Sequence, residues 1–158
     1  MGAEGAGALR PLADADLPAI FELQRDPEAV AMARVPPRDR EAFDANWERI
    51  RANEETTVRV VDAGTGGVAG WLLVFPLDGE LCLGYWIARE HWGHGLATRA
   101  VGELLGEVET RPLHATVATG NAASRRVLEK CGFTDLGPTS EWDDRLGERV
   151  AIHRYELR

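Results

Sequence analysis

The sequence predicts a single mixed α/β (α+β) domain spanning residues 1–158, and three observations carry that reading. Residues 56–87 hold three apolar, β-branched stretches separated by short turn sequences, which imply an antiparallel meander. The third stretch leads through a glycine-bearing loop into a helix and then another strand, and a crossover of that kind favours parallel neighbours. The rest of the chain alternates helical and strand periodicity without repeat, linker or low-complexity segment.

Each element has its own justification. Residues 1–7 are small and featureless, as a frayed end is. Leu9-Arg10-Pro11-Leu12 reads as an edge strand, where Pro11 is tolerable. Asp14 or Asp16 can cap a helix with apolar Leu17, Ile20, Phe21 and Leu23. Pro27 opens a further turn around Ala29 to Ala33, which Pro36-Pro37 ends. From Asp39 or Arg40 to Asn53, Phe43, Trp47 and Ile50 share one side of a charged amphipathic helix. Thr56 to Asp62 is a strand, Ala63 to Gly67 a hairpin turn, and Val68 to Phe75 the returning strand. Pro76-Leu77-Asp78-Gly79 turns into the strand Glu80 to Ile87. A helix follows from Ala97 to about Glu109, then a buried strand from Leu113 to Ala118. Asn121 caps a helix that Gly132 stops after Cys131. Phe133 to Leu136 and Arg149 to Leu157 are the last strands, with Gly137 to Glu148 a polar loop between them.

At 158 residues, 44% hydrophobic and 28% charged, the chain has the makings of one globular domain with a real core. A net charge of −8 argues against nucleic-acid and anionic-membrane partners. The charge is uneven: residues 1–79 hold 8 basic and 14 acidic side chains, residues 89–130 hold 6 and 5. The second stretch is the one least hostile to an anion. Cys82 and Cys131 suit neither a metal site nor a disulfide framework, so reduced thiols are expected and no metal. Neither a secretory signal nor a membrane-length apolar run is legible, and a cytoplasmic protein, monomeric or homodimeric, is the expectation.

Two stretches carry chemistry. In Gly84-Tyr85-Trp86-Ile87-Ala88-Arg89-Glu90-His91-Trp92-Gly93-His94-Gly95-Leu96-Ala97-Thr98 a strand runs through two glycines into a helix start. Gly93 and Gly95 let a bulky anion approach the backbone, and the unpaired N–H groups of the first helical turn point at it. The spacing matches neither the dinucleotide fingerprint, since no third glycine follows, nor a P-loop, since no Gly-Lys-Ser/Thr closes it. The second stretch is Asn121-Ala122-Ala123-Ser124, continuing through Leu128-Glu129-Lys130 to Gly132-Phe133, which by itself is a well-capped helix.

Together these stretches resemble the GNAT superfamily of acetyl-CoA-dependent N-acetyltransferases. The superfamily's Gln/Arg-x-x-Gly-x-Gly/Ala loop appears as Trp92-Gly93-His94-Gly95-Leu96-Ala97, and its Asn-x-x-Ala/Ser…Gly-Phe helix as Asn121-x-x-Ser124…Gly132-Phe133. Gly84-Tyr85-Trp86-Ile87, Leu128-Glu129-Lys130 and Leu9-Arg10-Pro11-Leu12 look most like the RimJ/RimL branch, which acetylates ribosomal-protein N-termini and other amines. The resemblance implies a mixed, mainly antiparallel V-shaped sheet with helices on both faces. It implies that the amides of Gly93, His94, Gly95, Leu96, Ala97 and Thr98, after Trp92, bind the pyrophosphate of acetyl-CoA. Trp86, Ile87 and Ala88 would hydrogen-bond the pantetheine arm and supply an oxyanion donor, an interaction worth about 3 kcal/mol. Asn121 would bind the same arm, and Ser124 would lie near the thioester sulfur. Arg89, His91, Arg99 and Arg126 are candidates for the outer phosphates. Met32, Trp47, Trp71 and the loop around Trp142 are candidate walls for the acceptor.

The chain departs from the family pattern in three places. Trp92 replaces the usual Gln/Arg. Leu128 stands where a general-acid tyrosine is frequent, and Cys82 where the branch often has glutamate. Glu80 shares a strand face with Cys82 and, through water, is the candidate base, with Ser124 the acid and His114 a reserve base. Cys82 is not expected to carry the acyl group, because direct transfer needs no covalent intermediate. Attack needs a neutral amine, and an α-amine (pKa ~8) is far more often neutral at pH 7 than a lysine (pKa ~10.4). A site without a strong base therefore suits the α-amine of a peptide or protein N-terminus, or another low-pKa small-molecule amine. The alternatives are a non-catalytic acyl-CoA-binding or sensing domain and an acetyltransferase that modifies a small-molecule drug.

Overall fold

The computed structural model describes residues 6–158; residues 1–5, and with them most of the expected frayed end, lie outside it. Seven strands form one sheet in the order β1-β2-β3-β4-β5-β7-β6. They are β1 (Ala6–Arg10), β2 (Thr57–Ala63), β3 (Val68–Leu77), β4 (Glu80–Ile87), β5 (Leu113–Ala118), β6 (Thr134–Asp143) and β7 (Glu148–Leu157). The helices are α1 (Leu17–Leu23), α2 (Pro27–Ala33), α3 (Arg40–Ala52), α4 (Leu96–Glu107) and α5 (Ala122–Lys130). No described helix is long and apolar enough to cross a membrane.

The sheet is antiparallel except between β4 and β5. These two strands pair only at Leu81–Leu113 and Cys82–His114, and then part. β5 goes on pairing with β7 as far as Ala118–Ile152, and β4 with β3 as far as Ile87–Gly70. A gap therefore opens in the middle of the sheet, with Gly84 to Ile87 on one lip.

Apolar side chains fill both faces. Under α4 and α5, Leu72, Val74, Leu83, Leu104, Leu113, Leu128 and Tyr155 form one buried cluster. Under α1 and α3, Ile20, Phe43, Trp47 and Trp71 form the other. Helix α3 keeps its apolar side inward and is capped by Asp39, whose side chain accepts from the Ala42 N–H at 2.9 Å. Arg10 of β1 holds the entry to α1. Its terminal nitrogens donate to both oxygens of buried Asp16 at 2.8 and 2.9 Å, and its Nε donates to Asp62 at 2.9 Å.

Of the boundaries that differ from the sequence reading, three have a clear physical reason. The edge strand is Ala6–Arg10 and stops before Pro11, which has no N–H for the ladder with β2. Strand β3 runs through Pro76 to Leu77, so the reversal is the two residues Asp78 (φ 51°) and Gly79 (φ 80°), a left-handed pair as tight hairpins require. The expected polar loop from Gly137 to Glu148 is mostly strand: β6 continues to Asp143 with a register shift between Asp135 and Pro138. Almost every β6 side chain is exposed, so no alternation marks it. The ladder to β7 alone makes it a strand, and Pro138 is allowed because β6 is an edge.

Candidate active site

The local chemistry of residues 87–98 sets the site. After Ile87 the chain makes a 3-10 turn (Arg89–His91) and enters α4 through Gly93 (φ 79°) and Gly95 (φ 73°). A Cβ at either glycine would meet nothing within 4 Å, so the left-handed backbone is what demands glycine there, and both open onto the cleft. Helix α4 has neither a side-chain cap nor an acid in its first turn, and its first internal bond is Arg99 N–H to Gly95 C=O at 3.1 Å. Among the described residues, nothing accepts from the N–H groups of Gly93, His94, Gly95, Leu96, Ala97 or Thr98. Six successive donors at a helix N-terminus form a cradle for an anion. The unpaired N–H groups that the sequence reading expects at this helix start are present.

The cradle opens into a cleft of about 340 Å³ between α2, the end of β4, the start of α4 and one side of α5. Of the residues expected around the cofactor, Trp86, Ile87, Trp92, Gly93, Gly95, Leu96, Ala97, Thr98, Asn121 and Ser124 line it. Ala88 and His94 do not: Ala88 is buried and its N–H donates to Ala69 C=O at 2.8 Å, and the His94 side chain is exposed.

That Ala88 bond also corrects which main-chain groups β4 can offer. Strand residues alternate in the neighbour they face, so the N–H and C=O of Trp86 point to β3 with those of Ala88. Those of Tyr85 and Ile87 point into the gap beside β5. The Ile87 carbonyl is taken by the Trp92 indole Nε1–H at 2.9 Å. What the lip presents is the Ile87 N–H and both main-chain groups of Tyr85. The Trp86 ring leans the other way and stacks on Trp71 at 5.9 Å.

Helix α5 supplies the opposite wall. Asn121 Oδ1 accepts the Ser124 N–H at 3.2 Å as the helix cap, so its amide NH₂ is what it can offer a ligand. The Ser124 hydroxyl lies 2.5 Å from the Tyr85 hydroxyl, which also reaches the Ser124 carbonyl at 3.1 Å. Burial pushes the Tyr85 phenol up to about 12, against the lowering effect of the Ser124 bond. Sequence reasoning missed Tyr85, although its neighbours on β4 were singled out. It also missed Lys130, which lines the cleft one turn beyond Arg126 on the same face of α5.

Of the other candidate cations, His91 lines the cleft and Arg99 does not. Arg89 is committed elsewhere, to Asp26 at 3.1 Å and Glu28 at 2.8 Å, and so fastens α2 to the loop. The expected acceptor walls divide in the same way. Met32 lines this cleft and an adjoining one of about 600 Å³, which also touches Glu28, Trp92, Thr119 and Val150. Trp47 and Trp71 are 4% and 7% exposed and belong to the core under α1 and α3. Trp142 stands exposed on β6, its Nε1 donating to Asp144 at 2.8 Å.

Glu80 is not brought to either cleft. It opens β4, five residues before Tyr85, on the order of 16 Å along a strand. Arg154 donates to its carboxylate at 2.8 Å. His114 Nδ1 lies 2.9 Å from the same oxygen but off the hydrogen-bond axis, and its Nε2 meets Glu156 at 3.0 Å. Glu80 and His114 thus form part of a structural cluster across β4, β5 and β7. Burial raises the Cys82 thiol, and the nearby Glu80 charge adds to the effect.

The acetyltransferase (GNAT) domain model matches residues 8–134. The chain belongs to the GNAT family. Among its GNAT relatives, YdaF of Bacillus subtilis (strain 168), provisionally named a ribosomal N-acetyltransferase, is 32% identical over 62% of this chain and 57% of its own length. The chain spans little more than half the length of the curated relatives it matches. Among solved GNAT structures, spermidine N-acetyltransferase from Vibrio cholerae in complex with CoA and spermine superposes with a TM-score of 0.80 at 19% identity, covering 95% of this chain and 94% of that one. RimL, the ribosomal L7/L12 alpha-N-protein acetyltransferase, in complex with coenzyme A, gives 0.76 at 17% identity over 94% and 92%. At those identities the likeness is one of fold: the parted sheet and flanking helices are the GNAT architecture, as the sequence motifs implied.

Proposed function

We propose that this chain is an acetyl-CoA-dependent N-acetyltransferase that moves an acetyl group to a primary amine. The observation that carries the proposal is the run of free amides from Gly93 to Thr98 beside the opened β4 lip. Those donors fit the pyrophosphate of coenzyme A, and Arg126 and Lys130 stand in the same cleft to meet the remaining phosphate charge. The Asn121 NH₂ and the main-chain groups of Tyr85 fit the amides of a pantetheine arm lying along the gap. The Ile87 N–H is the donor best placed for the thioester oxygen, where negative charge develops as the amine attacks. Ser124 is assigned to the sulfur.

The adjoining cleft admits the acceptor. It shares Met32 and Trp92 with the first, so an amine entering it meets the acyl end of the cofactor site. Among the described residues lining the two clefts the one carboxylate is Glu28, and Arg89 holds it at 2.8 Å. With no free carboxylate at hand, an amine already neutral near pH 7 is favoured, which means an α-amine or another low-pKa amine over a lysine side chain. The names of the relatives do not choose: one is a ribosomal-protein alpha-N enzyme, which fits this preference, and another a spermidine enzyme, whose acceptor carries alkylamines as basic as a lysine. An acceptor that is neither nucleic acid nor membrane belongs to this reading and rests on the net charge of −8, and a cytoplasmic setting belongs to it too and rests on the free thiols of Cys82 and Cys131.

The same shortage of a base favours one second reading, a non-catalytic acyl-CoA-binding or sensing domain. The test is an acceptor screen with acetyl-CoA against peptides of varied N-terminus, polyamines and amine drugs, read by thiol release and product mass. Turnover with a defined amine supports the transferase; tight coenzyme A binding with no turnover on any amine supports the sensor.

A further inference from the structure

Tyr85 comes from β4 and Ser124 from α5, yet their hydroxyls meet at 2.5 Å at the wall of the cleft. Ser124 is the third residue of α5, with no helical carbonyl four residues earlier to bond, and the Tyr85 phenol is its hydroxyl's partner among the described residues. The phenol has one proton and two acceptors within reach, Ser124 Oγ at 2.5 Å and Ser124 C=O at 3.1 Å. The carbonyl lies within α5, where the ladder already gives it a main-chain donor. With the carbonyl already served, Oγ is the acceptor that lacks another donor among the described residues.

We propose that Tyr85 is a positioning residue for acyl transfer: its phenol donates to Ser124 Oγ and so turns the serine's own proton toward the sulfur of the thioester in the cleft. This rests on the reading of the cleft as an acyl-CoA site. The carbon–nitrogen bond forms as the amine attacks, and the amine's surplus proton leaves to water. The carbon–sulfur bond then breaks with its electron pair going to sulfur, and the Ser124 hydrogen bond holds the thiolate until solvent protonates it. Neither hydroxyl is consumed. Tyr85 is a fixed donor and not an acid: with a phenol near 12 and a thiol near ~8.5, handing over its proton is disfavoured by roughly a thousandfold. Its titratable neighbours are Tyr155 and Cys131, and burial holds both toward their neutral forms.

The arrangement also accounts for the Leu128 substitution noted in the sequence. Leu128 is fully buried in the core and can present no hydroxyl, so donation to sulfur falls to Ser124 and its direction to β4.

The experiment titrates the thiol of coenzyme A bound to the protein, followed by ultraviolet thiolate absorbance, in wild type, Tyr85→Phe, Ser124→Ala and the double variant. The wild-type complex is expected to titrate below free coenzyme A. Each single substitution raises the bound thiol by about 0.5–1 unit, and the double raises it no further than Ser124→Ala alone. The loss of coenzyme A affinity in Tyr85→Phe is expected to grow between pH 7 and pH 10 by the factor that the thiol shift implies, whereas a merely structural role would give a loss that does not vary with pH. An unshifted thiol in Tyr85→Phe, or additive shifts in the double variant, overturns the proposal. Should Tyr85→Phe not fold, fluorotyrosine at both tyrosines, Tyr85 and Tyr155, provides a stronger donor on the native scaffold. It must then lower the bound thiol in wild type and leave it unmoved in Ser124→Ala; any other result overturns the assignment. A wild-type protein that binds no coenzyme A removes the cofactor reading as well, whereas binding with a thiol indifferent to Tyr85 removes this inference alone.

Discussion

The indole Nε1–H of Trp92 donates to the carbonyl of Ile87 at 2.9 Å, closing the loop that joins the β4 lip to the anion cradle. Trp92 stands where the family more often has Gln or Arg, and its bond gives the substitution a use. It fills the one acceptor that Ile87 turns toward the gap and leaves that residue presenting only a donor. Its ring also forms part of the wall common to both clefts.

Trp92→Phe keeps a ring and removes the bond. A hydrogen bond of this kind is worth about 1 kcal/mol, roughly a fivefold change in an equilibrium. The expected result is a three- to tenfold rise in KM for acetyl-CoA with a small change in kcat, measured by steady-state thiol release. Weaker binding and an unaltered melt would place the effect in the loop.

Two glycines in the α4 region should respond to alanine in opposite ways. Gly95 sits at φ 73° with open space around it, so an alanine there strains the backbone by about 1–2 kcal/mol and sets a methyl over the cradle. Gly102 lies in the helix interior, also with nothing within 4 Å, so alanine there removes unfolded-state freedom and stabilises by about 0.5–1 kcal/mol. Denaturant melts read both. Calorimetry with coenzyme A should show Gly95→Ala binding at least tenfold more weakly and Gly102→Ala unchanged.

The cradle was legible because it is local: two glycines, a strand before and a 3.6-residue apolar period after occupy one short stretch. The Tyr85–Ser124 pair was not, because 39 residues separate its members and only the folded sheet brings β4 to α5. Aromatic residues mislead for a related reason. Trp47 and Trp71 have the same chemistry whether they wall a pocket or fill a core, and only their burial distinguishes the two. Alternation placed Glu80 on the face of Cys82 but could not say how far along β4 the chemistry lies. Strand β6, exposed on both sides, carries no pattern of its own.

Acid should reveal the Arg10–Asp16 clamp. The Arg10 hydrogen bonds, ahead of opposing burial, hold the Asp16 carboxyl below the usual carboxylate range. A lowered folded value means the stabilisation is fully present above the unfolded pKa of ~3.9 and is lost as pH falls through the lower folded value. Stability should therefore be level near neutrality and fall below about pH 4. Asp16→Asn should cost about 2–3 kcal/mol at neutral pH, since Asp16 is 7% exposed and Arg10 keeps only Asp62 as a charged partner. It should also flatten the acid limb, as urea titrations across that range can show.

Glu80 is the remaining test, because the strand-face argument and the coordinates give it different work. As a base acting through water it would set the acidic limb of kcat/KM. In the fold its carboxylate is engaged by Arg154 at 2.8 Å and adjoins His114 at the closed end of the β4–β5 pair, away from both clefts. Glu80→Gln preserves shape and removes the charge that balances Arg154. The expected outcome is a pH–rate profile whose acidic limb does not move, with kcat within about twofold of wild type. The loss appears instead as about 0.5–1 kcal/mol of stability, modest because Glu80 and Arg154 are 36% and 40% exposed. A limb displaced upward or abolished would return Glu80 to the chemistry and require a water chain running from the end of β4 to the gap.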